Sequence, residues 1–216
     1  SDEQLHSRSG QVNVEDRMML AYTSGTTGHP KGVIHCHKPV RNTYERAMLL
    51  GHNCNDVHLS YLPLFHAYGF SEVAMMVALT GGSQVLFDVF EPAQVLDAVE
   101  EEGGTVLHGF DSHWADLIRE QQQRERDVTS LRVGTLPAGM ESTVPIARQV
   151  QDVFCPTTSG FGMSETWAFI ASSHVTNTLE QRTEASGYPM YGIEFEVRDL
   201  DQGHVLGENE QGALYV

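Results

Sequence analysis

Apolar residues recur along the chain with two different spacings, and the two spacings alternate from one segment to the next. Short apolar runs between turn residues predict strands over residues 17–22, 56–62, 83–87, 105–108 and 131–136. Apolar residues at helical spacing predict helices over residues 39–50, 71–79, 92–101, from 111 or 112 onwards, and 144–153. Strands that alternate with helices predict an α/β fold, in which a largely parallel sheet is flanked by helices.

The two ends of the chain depart from this alternation. Residues 1–16 are polar and are interpreted as a loose lead-in, whereas residues 17–175 form the α/β subdomain. Residues 176–216 contain few helical patterns and are interpreted as an incomplete β-rich segment. The last residues, 212–216, have the pattern of a core strand, so we expect the chain to be a truncated piece of a larger domain.

Composition and charge narrow the class of protein. The 216 residues carry 29 acidic and 13 basic side chains, a formal net charge of −16, which disfavours nucleic acid as a partner. No apolar run approaches the roughly 18 residues of a transmembrane helix, so no transmembrane segment is expected. Three separated cysteines predict a reduced, cytoplasmic protein.

The loop after the first predicted strand is the strongest chemical signal in the sequence. Residues 22–33 read Tyr-Thr-Ser-Gly-Thr-Thr-Gly-His-Pro-Lys-Gly-Val. Glycines let backbone N–H groups approach an anion, hydroxyls add neutral donors, and Lys31 supplies a positive charge. With a strand before it and a helix after it, such a loop lies at the carboxyl edge of a sheet, where ligands bind. These features predict a phosphate-binding loop.

Other phosphate and nucleophile motifs do not match the sequence. A Walker loop requires Gly-Lys-Ser/Thr, but Lys31 lies between Pro30 and Gly32. The spacing of Gly25, Gly28 and Gly32 differs from that of the Rossmann fingerprint. No Gly-x-Ser-x-Gly elbow is present, which disfavours a serine hydrolase.

The loop resembles the signature of the superfamily of acyl-CoA synthetases, luciferases and peptide-synthetase adenylation domains, and four further segments resemble its motifs in the same order. These segments are 61–69 (Tyr-Leu-Pro-Leu-Phe-His-Ala-Tyr-Gly), 161–166 (Phe-Gly-Met-Ser-Glu-Thr), 187–189 (Gly-Tyr-Pro) and 212–214 (Gly-Ala-Leu). The resemblance covers residues 17–216, and it implies a central fragment of the N-terminal, nucleotide-binding domain of an AMP-binding acyl-CoA ligase.

The resemblance implies a reaction and assigns roles to residues. A carboxylate attacks the α-phosphate of ATP, which yields an acyl-adenylate and pyrophosphate, and coenzyme A then takes the acyl group. Glu165 and Thr23 are implied as Mg²⁺ ligands, and His66 as a residue that stabilises charge near the reacting carboxylate. The β- and γ-phosphates are implied to contact Thr23, Ser24, Gly25, Thr26, Thr27, Gly28 and Lys31.

A second set of residues is implied to bind the adenylate portion of ATP. Ser164 replaces the usual threonine and keeps its hydroxyl, whereas Phe161 replaces tyrosine and loses the phenolic hydrogen bond. Ser159 stands where asparagine is frequent, which puts one adenine contact in doubt. The implied set is Gly139, Gly160, Phe161, Gly162, Met163 and Ser164.

Two histidine interpretations stay open at this stage. His66 is either an active-site residue or a core histidine that is satisfied by a backbone carbonyl. A metal site formed by His35, Cys36 and His37 with His29 nearby is disfavoured, because zinc ligands show wider, recurring spacing.

Three functions are compatible with the motifs. The leading hypothesis is an acyl-CoA ligase for a fatty or aryl acid, and the second is an amino-acid adenylation domain of a peptide synthetase. A non-catalytic nucleotide-binding domain is the third.

The resemblance also implies segments that this chain lacks, among them a ribose-binding aspartate and a catalytic lysine. We therefore expect the 216 residues alone to be inactive, and self-association to cover apolar surface.

Overall fold

The computed structural model describes residues 1–23 and 29–216, and this part of the chain contains short helices and strands in close alternation. Within it, no helix has the length and apolar character needed to cross a membrane. The helices are α1 (Asp2–Ser9), α2 (Pro39–Leu49), α3 (Ala67–Gly69), α4 (Met76–Thr80), α5 (Pro92–Glu102), α6 (Asp111–Gln123), α7 (Val144–Val153) and α8 (Leu179–Thr183). A π-helical segment, Phe70–Met75, joins α3 to α4, and a 3₁₀ turn covers Ser164–Thr166.

The strands form one parallel sheet and three smaller antiparallel ones. The parallel sheet has the order β4-β3-β5-β6-β7, and the antiparallel sheets are β1-β2, β10-β9-β8 and β11-β12. The strands are β1 (Arg17–Thr23), β2 (Lys31–Cys36), β3 (Val57–Ser60), β4 (Ser83–Leu86), β5 (Val106–His108), β6 (Val133–Thr135), β7 (Thr157–Thr158), β8 (Gly160–Met163), β9 (Ala168–Ser172), β10 (Tyr188–Pro189), β11 (Glu196–Arg198) and β12 (Ala213–Tyr215). The predicted α/β fold with a largely parallel sheet is therefore confirmed.

Helices cover both faces of the parallel sheet. Successive residues of β5 point to opposite faces, and Val106 and Leu107 accordingly belong to different apolar clusters. Leu107 packs with the apolar sides of α5, α6 and α7, including Trp114, which is fully buried. Val106 packs with Ala47 of α2 and Met76 of α4. The helical spacing seen in the sequence thus marks the sides that pack on the sheet.

Two local expectations are wrong. The phosphate-loop signature does not run from a strand into a helix, because β1 and β2 on either side of it pair as an antiparallel hairpin. Within residues 1–16, the predicted loose lead-in contains helix α1, although none of its residues is buried.

Residues 176–216 contain β10, β11 and β12 and the short helix α8. The proposed boundaries of the three segments stay a prediction.

Three buried histidines lie on the face of the sheet that α2 covers. His58 is in β3, His108 is in β5, and His52 follows α2; their exposed fractions are 0%, 1% and 3%. Burial lowers the pKa of His52 to about 3 and that of His58 to about 4, and it holds the pKa of His108 well below its usual range. Neighbouring charges contribute to these pKa values: Arg132 lowers all three and the carboxylate of Asp56 raises them.

The burial of neutral histidines predicts acid sensitivity. Between about pH 6.5 and pH 4 the unfolded chain binds protons that the folded chain does not, so the free energy of unfolding falls as the pH falls. Each histidine contributes a slope of up to about 1.4 kcal/mol per pH unit. Urea unfolding at several pH values in the presence of EDTA, followed by tryptophan fluorescence, measures this slope. In His58→Leu we expect the slope of the free energy of unfolding against pH to decrease by the contribution of one histidine. An unchanged slope would contradict the burial of His58 in its neutral form.

Candidate active site

A cleft of about 670 Å³ is lined by side chains from five separate stretches of the chain. Its volume lies within the range of small-molecule sites. The lining residues are Thr23, Lys31, His66, Ala67, Tyr68, Phe110, Gly162, Met163, Ser164, Glu165, Ala168 and Phe169. The cleft thus combines hydroxyl groups, one cation, one carboxylate and an aromatic wall, which can hold a polyanion beside an apolar group.

The β1–β2 hairpin brings two of the polar residues together. Thr23 ends β1, Lys31 begins β2, and the two residues pair directly across the hairpin. Antiparallel pairing therefore places a hydroxyl and an ammonium group at the same end of the hairpin, where both line the cleft. The predicted phosphate contacts Ser24, Gly25, Thr26, Thr27 and Gly28 lie outside the described residues.

The segments that follow β3 and β5 form the aromatic wall. His66 caps α3, and its Nδ1 accepts a hydrogen bond from Tyr68 N–H at 3.2 Å. In a neutral ring the proton is then on Nε2, so His66 can donate a hydrogen bond to an anion. The Tyr68 ring meets the Phe110 and Phe169 rings at centroid distances of 5.0 and 5.2 Å. His66 is exposed, so the interpretation of His66 as a core histidine is not supported.

The turn between β8 and β9 carries the third group of residues. Ser164 and Glu165 lie in its 3₁₀ turn, and both line the cleft. Trp167 and Ala168 have positive φ angles of 61° and 69°, an unfavourable conformation for residues with a Cβ atom. A Cβ atom on Gly162 would lie 1.7 Å from the carbonyl oxygen of Ala168, so only glycine allows β8 to approach β9 here.

Contacts from β2 and α2 hold this strained turn in place. His35 Nε2–H donates to the carbonyl oxygen of Ser164 at 2.8 Å, and the His35 ring meets Trp167 edge-on at 4.9 Å. Trp167 Nε1–H donates to Thr43 Oγ1 at 3.2 Å. His35 therefore supports the turn, and among the described residues no cluster of possible metal ligands contains His29, His35, Cys36 or His37.

A buried ion pair completes the support. Arg46 Nε donates to Glu72 Oε2 at 2.8 Å, a second guanidinium nitrogen bonds to the other carboxylate oxygen, and Nη1 donates to the carbonyl oxygen of Phe169 at 2.7 Å. The exposed fractions of the two charged residues are 1% and 0%. Arg46 thereby ties α2 and the π-helical segment to β9, next to a residue that lines the cleft.

Several predicted adenine-side residues do not line the cleft. Gly160 and Phe161 lie in β8, and the Phe161 ring contacts Phe195 at a centroid distance of 6.2 Å. Gly139 has a φ of 111°, and a Cβ atom there would lie 2.7 Å from Ser186 Oγ. Ser159 Oγ exchanges hydrogen bonds with the backbone of Ala138 at 2.9 and 3.2 Å. These residues shape the chain beside the cleft, and their contact with adenine stays a prediction.

Some residues of the site were missed at the level of the sequence. Phe110, Ala168 and Phe169 line the cleft, and Arg46, Glu72 and His35 hold its turn. Phe110 could have been found, because it follows β5 directly and the carboxyl ends of parallel strands face the binding site. The contacts of Arg46, Glu72 and His35 join residues that are 26 to 129 positions apart, and Ala168 and Phe169 are placed by the pairing of β9 with β8.

Comparison with known proteins decides the family. The model of the AMP-binding enzyme family matches residues 2–216. The chain belongs to this family. Acyl-CoA ligase sidI of Aspergillus fumigatus is 27% identical over 220 residues, which cover 98% of this chain and 36% of that protein. A feruloyl-CoA synthase of Amycolatopsis is 31% identical over 155 residues, or 71% of this chain and 31% of that protein.

Solved structures of AMP-binding enzymes share the fold. O-succinylbenzoate CoA synthetase of Bacillus subtilis, in complex with ATP and a magnesium ion, matches with a TM-score of 0.80 and 27% identity, over 94% of this chain and 41% of that chain. A benzoate CoA ligase from Burkholderia xenovorans matches with a TM-score of 0.80 and 26% identity, over 94% and 40%. The chain spans less than half the length of these relatives, which confirms that its fold is part of a larger adenylate-forming domain.

The buried ion pair gives a prediction for this member of the AMP-binding enzyme family. Glu72→Gln leaves the Arg46 guanidinium buried without its counter-charge, which we expect to lower the free energy of unfolding by on the order of 3 kcal/mol. Urea unfolding followed by tryptophan fluorescence measures the loss, because Trp167 lies in the same network. The exposed Glu208→Gln is the control, with a change below about 0.5 kcal/mol. Equal unfolding midpoints for the two variants would contradict the role of the pair.

Proposed function

We propose that the whole protein that contains this chain is an ATP-dependent acyl-CoA ligase. It adenylates a fatty or aryl acid and transfers the acyl group to coenzyme A. The proposal depends mainly on one observation, the convergence on a single cleft of the hydroxyl-bearing Thr23 and Ser164, the cation Lys31, the carboxylate of Glu165 and the donor His66. Family membership and the relatives described above support the same chemistry.

The reaction has two displacements that the cleft would promote by position and charge. A carboxylate oxygen attacks the α-phosphorus of ATP, the bond to the bridging oxygen breaks, and pyrophosphate leaves with both bond electrons. The thiol of coenzyme A then attacks the acyl carbon, loses its proton, and AMP leaves. Lys31 neutralises charge on the departing phosphates, and the hydroxyls of Thr23 and Ser164 hold phosphate oxygens in line for displacement.

The donor set of the cleft fits a magnesium ion. Glu165 is exposed and lines the cleft together with the hydroxyls of Thr23 and Ser164. Mg²⁺ prefers oxygen ligands and binds to proteins through one or two carboxylates together with substrate phosphates. Glu165 would hold the ion, with Thr23 as an additional oxygen ligand. When bound, the ion lowers the repulsion between Glu165 and the polyphosphate.

His66 would act on the substrate carboxylate side. Because its Nδ1 accepts from Tyr68 N–H, the Nε2–H group is the donor that can stabilise charge on the carboxylate or α-phosphate in the transition state. This role needs no change in protonation. It requires only that the ring keeps the orientation fixed by the cap of α3.

The walls of the cleft favour an acid without an amino group. Amino-acid adenylation domains usually carry an acidic residue that grips the substrate amine, and Glu72 is the acidic residue that follows the motif of residues 61–69. Glu72 is fully buried and paired with Arg46, and it does not line the cleft. The aromatic wall of Tyr68, Phe110 and Phe169 instead suits a fatty or aryl chain.

Exchange of labelled pyrophosphate into ATP tests this function with the whole protein. We expect exchange that depends on a carboxylic acid, with fatty or aryl acids ahead of amino acids in a panel. Strong exchange with amino acids alone would favour the peptide-synthetase alternative. ATP binding without exchange for any acid would favour a non-catalytic nucleotide-binding domain.

The magnesium site gives a sharper prediction. Glu165→Gln keeps the size of the side chain but removes the charge that attracts the metal ion. We therefore expect the exchange rate to fall by at least about tenfold and the magnesium concentration for half-maximal rate to rise. A magnesium titration of the exchange rate measures both effects. Glu208→Gln, an exposed glutamate outside the cleft, should leave the titration unchanged, and an unchanged titration in Glu165→Gln would remove Glu165 from the metal site.

A further inference from the structure

The three buried histidines on the α2 side of the sheet form a cluster that the proposed reaction does not use. Ring centroids of His52 and His58 lie 4.8 Å apart, and those of His108 lie 5.8 and 5.9 Å from the other two. One nitrogen from each ring lies within 4.8 Å of the other two. Three imidazoles from three different elements therefore converge in the interior.

Within the part of the chain that the structure describes, four ring nitrogens of the cluster have no hydrogen-bond partner. They are Nε2 of His52, Nε2 of His108, and both nitrogens of His58. A buried polar group without a partner costs on the order of 1–3 kcal/mol, and native interiors contain few of them. Four such atoms in one place therefore indicate that a ligand belongs there.

Two of the three rings also have polar partners outside the cluster. His108 Nδ1–H can donate to Thr135 Oγ1 at 2.8 Å, and the hydroxyl of Thr135 contacts the hydroxyl of Tyr68 at 2.5 Å. His52 Nδ1 lies 3.4 Å from the carboxylate of Asp56 and 3.3 Å from Nη2 of Arg132. Asp56 stabilises the tautomer with the proton on His52 Nδ1, whereas Arg132, which can only donate, stabilises the tautomer with the proton on Nε2; a metal ion bound at Nε2 selects the first. In protein metal sites, a ligating histidine donates its other N–H to a carboxylate or a hydroxyl in this way.

We propose that His52, His58 and His108 bind a divalent first-row transition metal, with zinc as the reference ion. Imidazole nitrogen is a preferred ligand for such metals, whereas Mg²⁺ prefers oxygen, so this site is distinct in chemistry from the cleft. Zinc holds nitrogen ligands about 2.0–2.1 Å away and therefore about 3.4 Å from one another.

The proposed metal ion is structural. It ties the segment after α2 to β3 and β5, and α2 also carries Thr43 and Arg46, which hold the turn beside the cleft. The nearby Asp56 is bonded by Arg132 through both carboxylate oxygens, so Asp56 orients His52 and is not itself a ligand.

Metal analysis of the whole protein tests the site, with protein prepared without a histidine tag. We expect zinc to bind to the metal-free protein with a stoichiometry near one and to raise its unfolding temperature. Cobalt(II) in place of zinc should give the intense visible absorption of a four-coordinate site with nitrogen ligands. Absence of saturable zinc binding, or a weak cobalt spectrum typical of surface-bound aqua ions, would overturn the proposal.

His58→Leu provides the decisive variant, because its ring nitrogens have no partner in the fold. The metal-free variant should be as stable as the wild type or more stable, whereas zinc affinity should fall by at least about 100-fold. His204→Gln, an exposed histidine, is the control and should bind zinc like the wild type. Zinc affinity that is equal in His58→Leu and the wild type would overturn the proposal. If His58→Leu does not fold, the cobalt spectrum of the wild type decides.

Discussion

The Arg46–Glu72 ion pair is the interaction on which the architecture of the cleft depends. It lies at the junction of α2, the π-helical segment and β9, three elements that are far apart in the sequence. Two charges in the interior are costly unless their hydrogen-bonding groups are satisfied. Here the guanidinium contacts the carboxylate, the hydroxyls of Thr43 and Ser71, and the carbonyl oxygen of Phe169. The observed arrangement of the three elements satisfies all of these partners at once.

That fixed arrangement explains how the turn after β8 tolerates an unfavourable backbone. Trp167 and Ala168 each adopt a left-handed conformation, which costs on the order of 1–3 kcal/mol per residue. Burial of the Trp167 ring and its hydrogen bond to Thr43 offset the cost, because they exist only when the backbone turns this way. The strained turn in return presents Ser164 and Glu165 to the cleft. The buried contacts of Trp167 thus stabilise the backbone conformation that places Ser164 and Glu165 at the cleft.

The sequence predicted the fold well where the signal was local. Apolar periodicity located α5, α6 and α7 and the strands of the parallel sheet, because each element needs one apolar side for the core. It failed at β2, since Lys31 begins a strand that is defined by pairing with β1, and pairing is not encoded in the segment itself. Helix α1 was also missed, because none of its residues is buried and its sequence therefore has no apolar side.

The candidate site shows the same division between local and distant information. Motif resemblance alone was enough to name Thr23, Lys31, His66, Ser164 and Glu165, and all five line the cleft. The residues that position them could not be named in this way, since the roles of His35, Arg46 and Thr135 come from partners that only the fold brings near. His35 illustrates this point: as a sequence element it was a metal candidate beside Cys36 and His37, yet its ring nitrogen bonds to the Ser164 carbonyl.

The cleft and the interior offer different ligand atoms to a metal ion: carboxylate oxygens in the cleft and imidazole nitrogens in the interior. The chain has a net charge of −16, and exposed acidic groups such as Glu165 carry the carboxylate oxygens that a hard cation prefers. In the interior, burial keeps imidazole rings neutral, and a neutral ring offers a lone pair without the desolvation cost of a carboxylate. Thr135 and Tyr68 connect the two regions, because the hydrogen bonds that orient His108 continue to a ring that lines the cleft. A change in the orientation of the His108 ring would therefore reach the wall of the cleft through two hydrogen bonds.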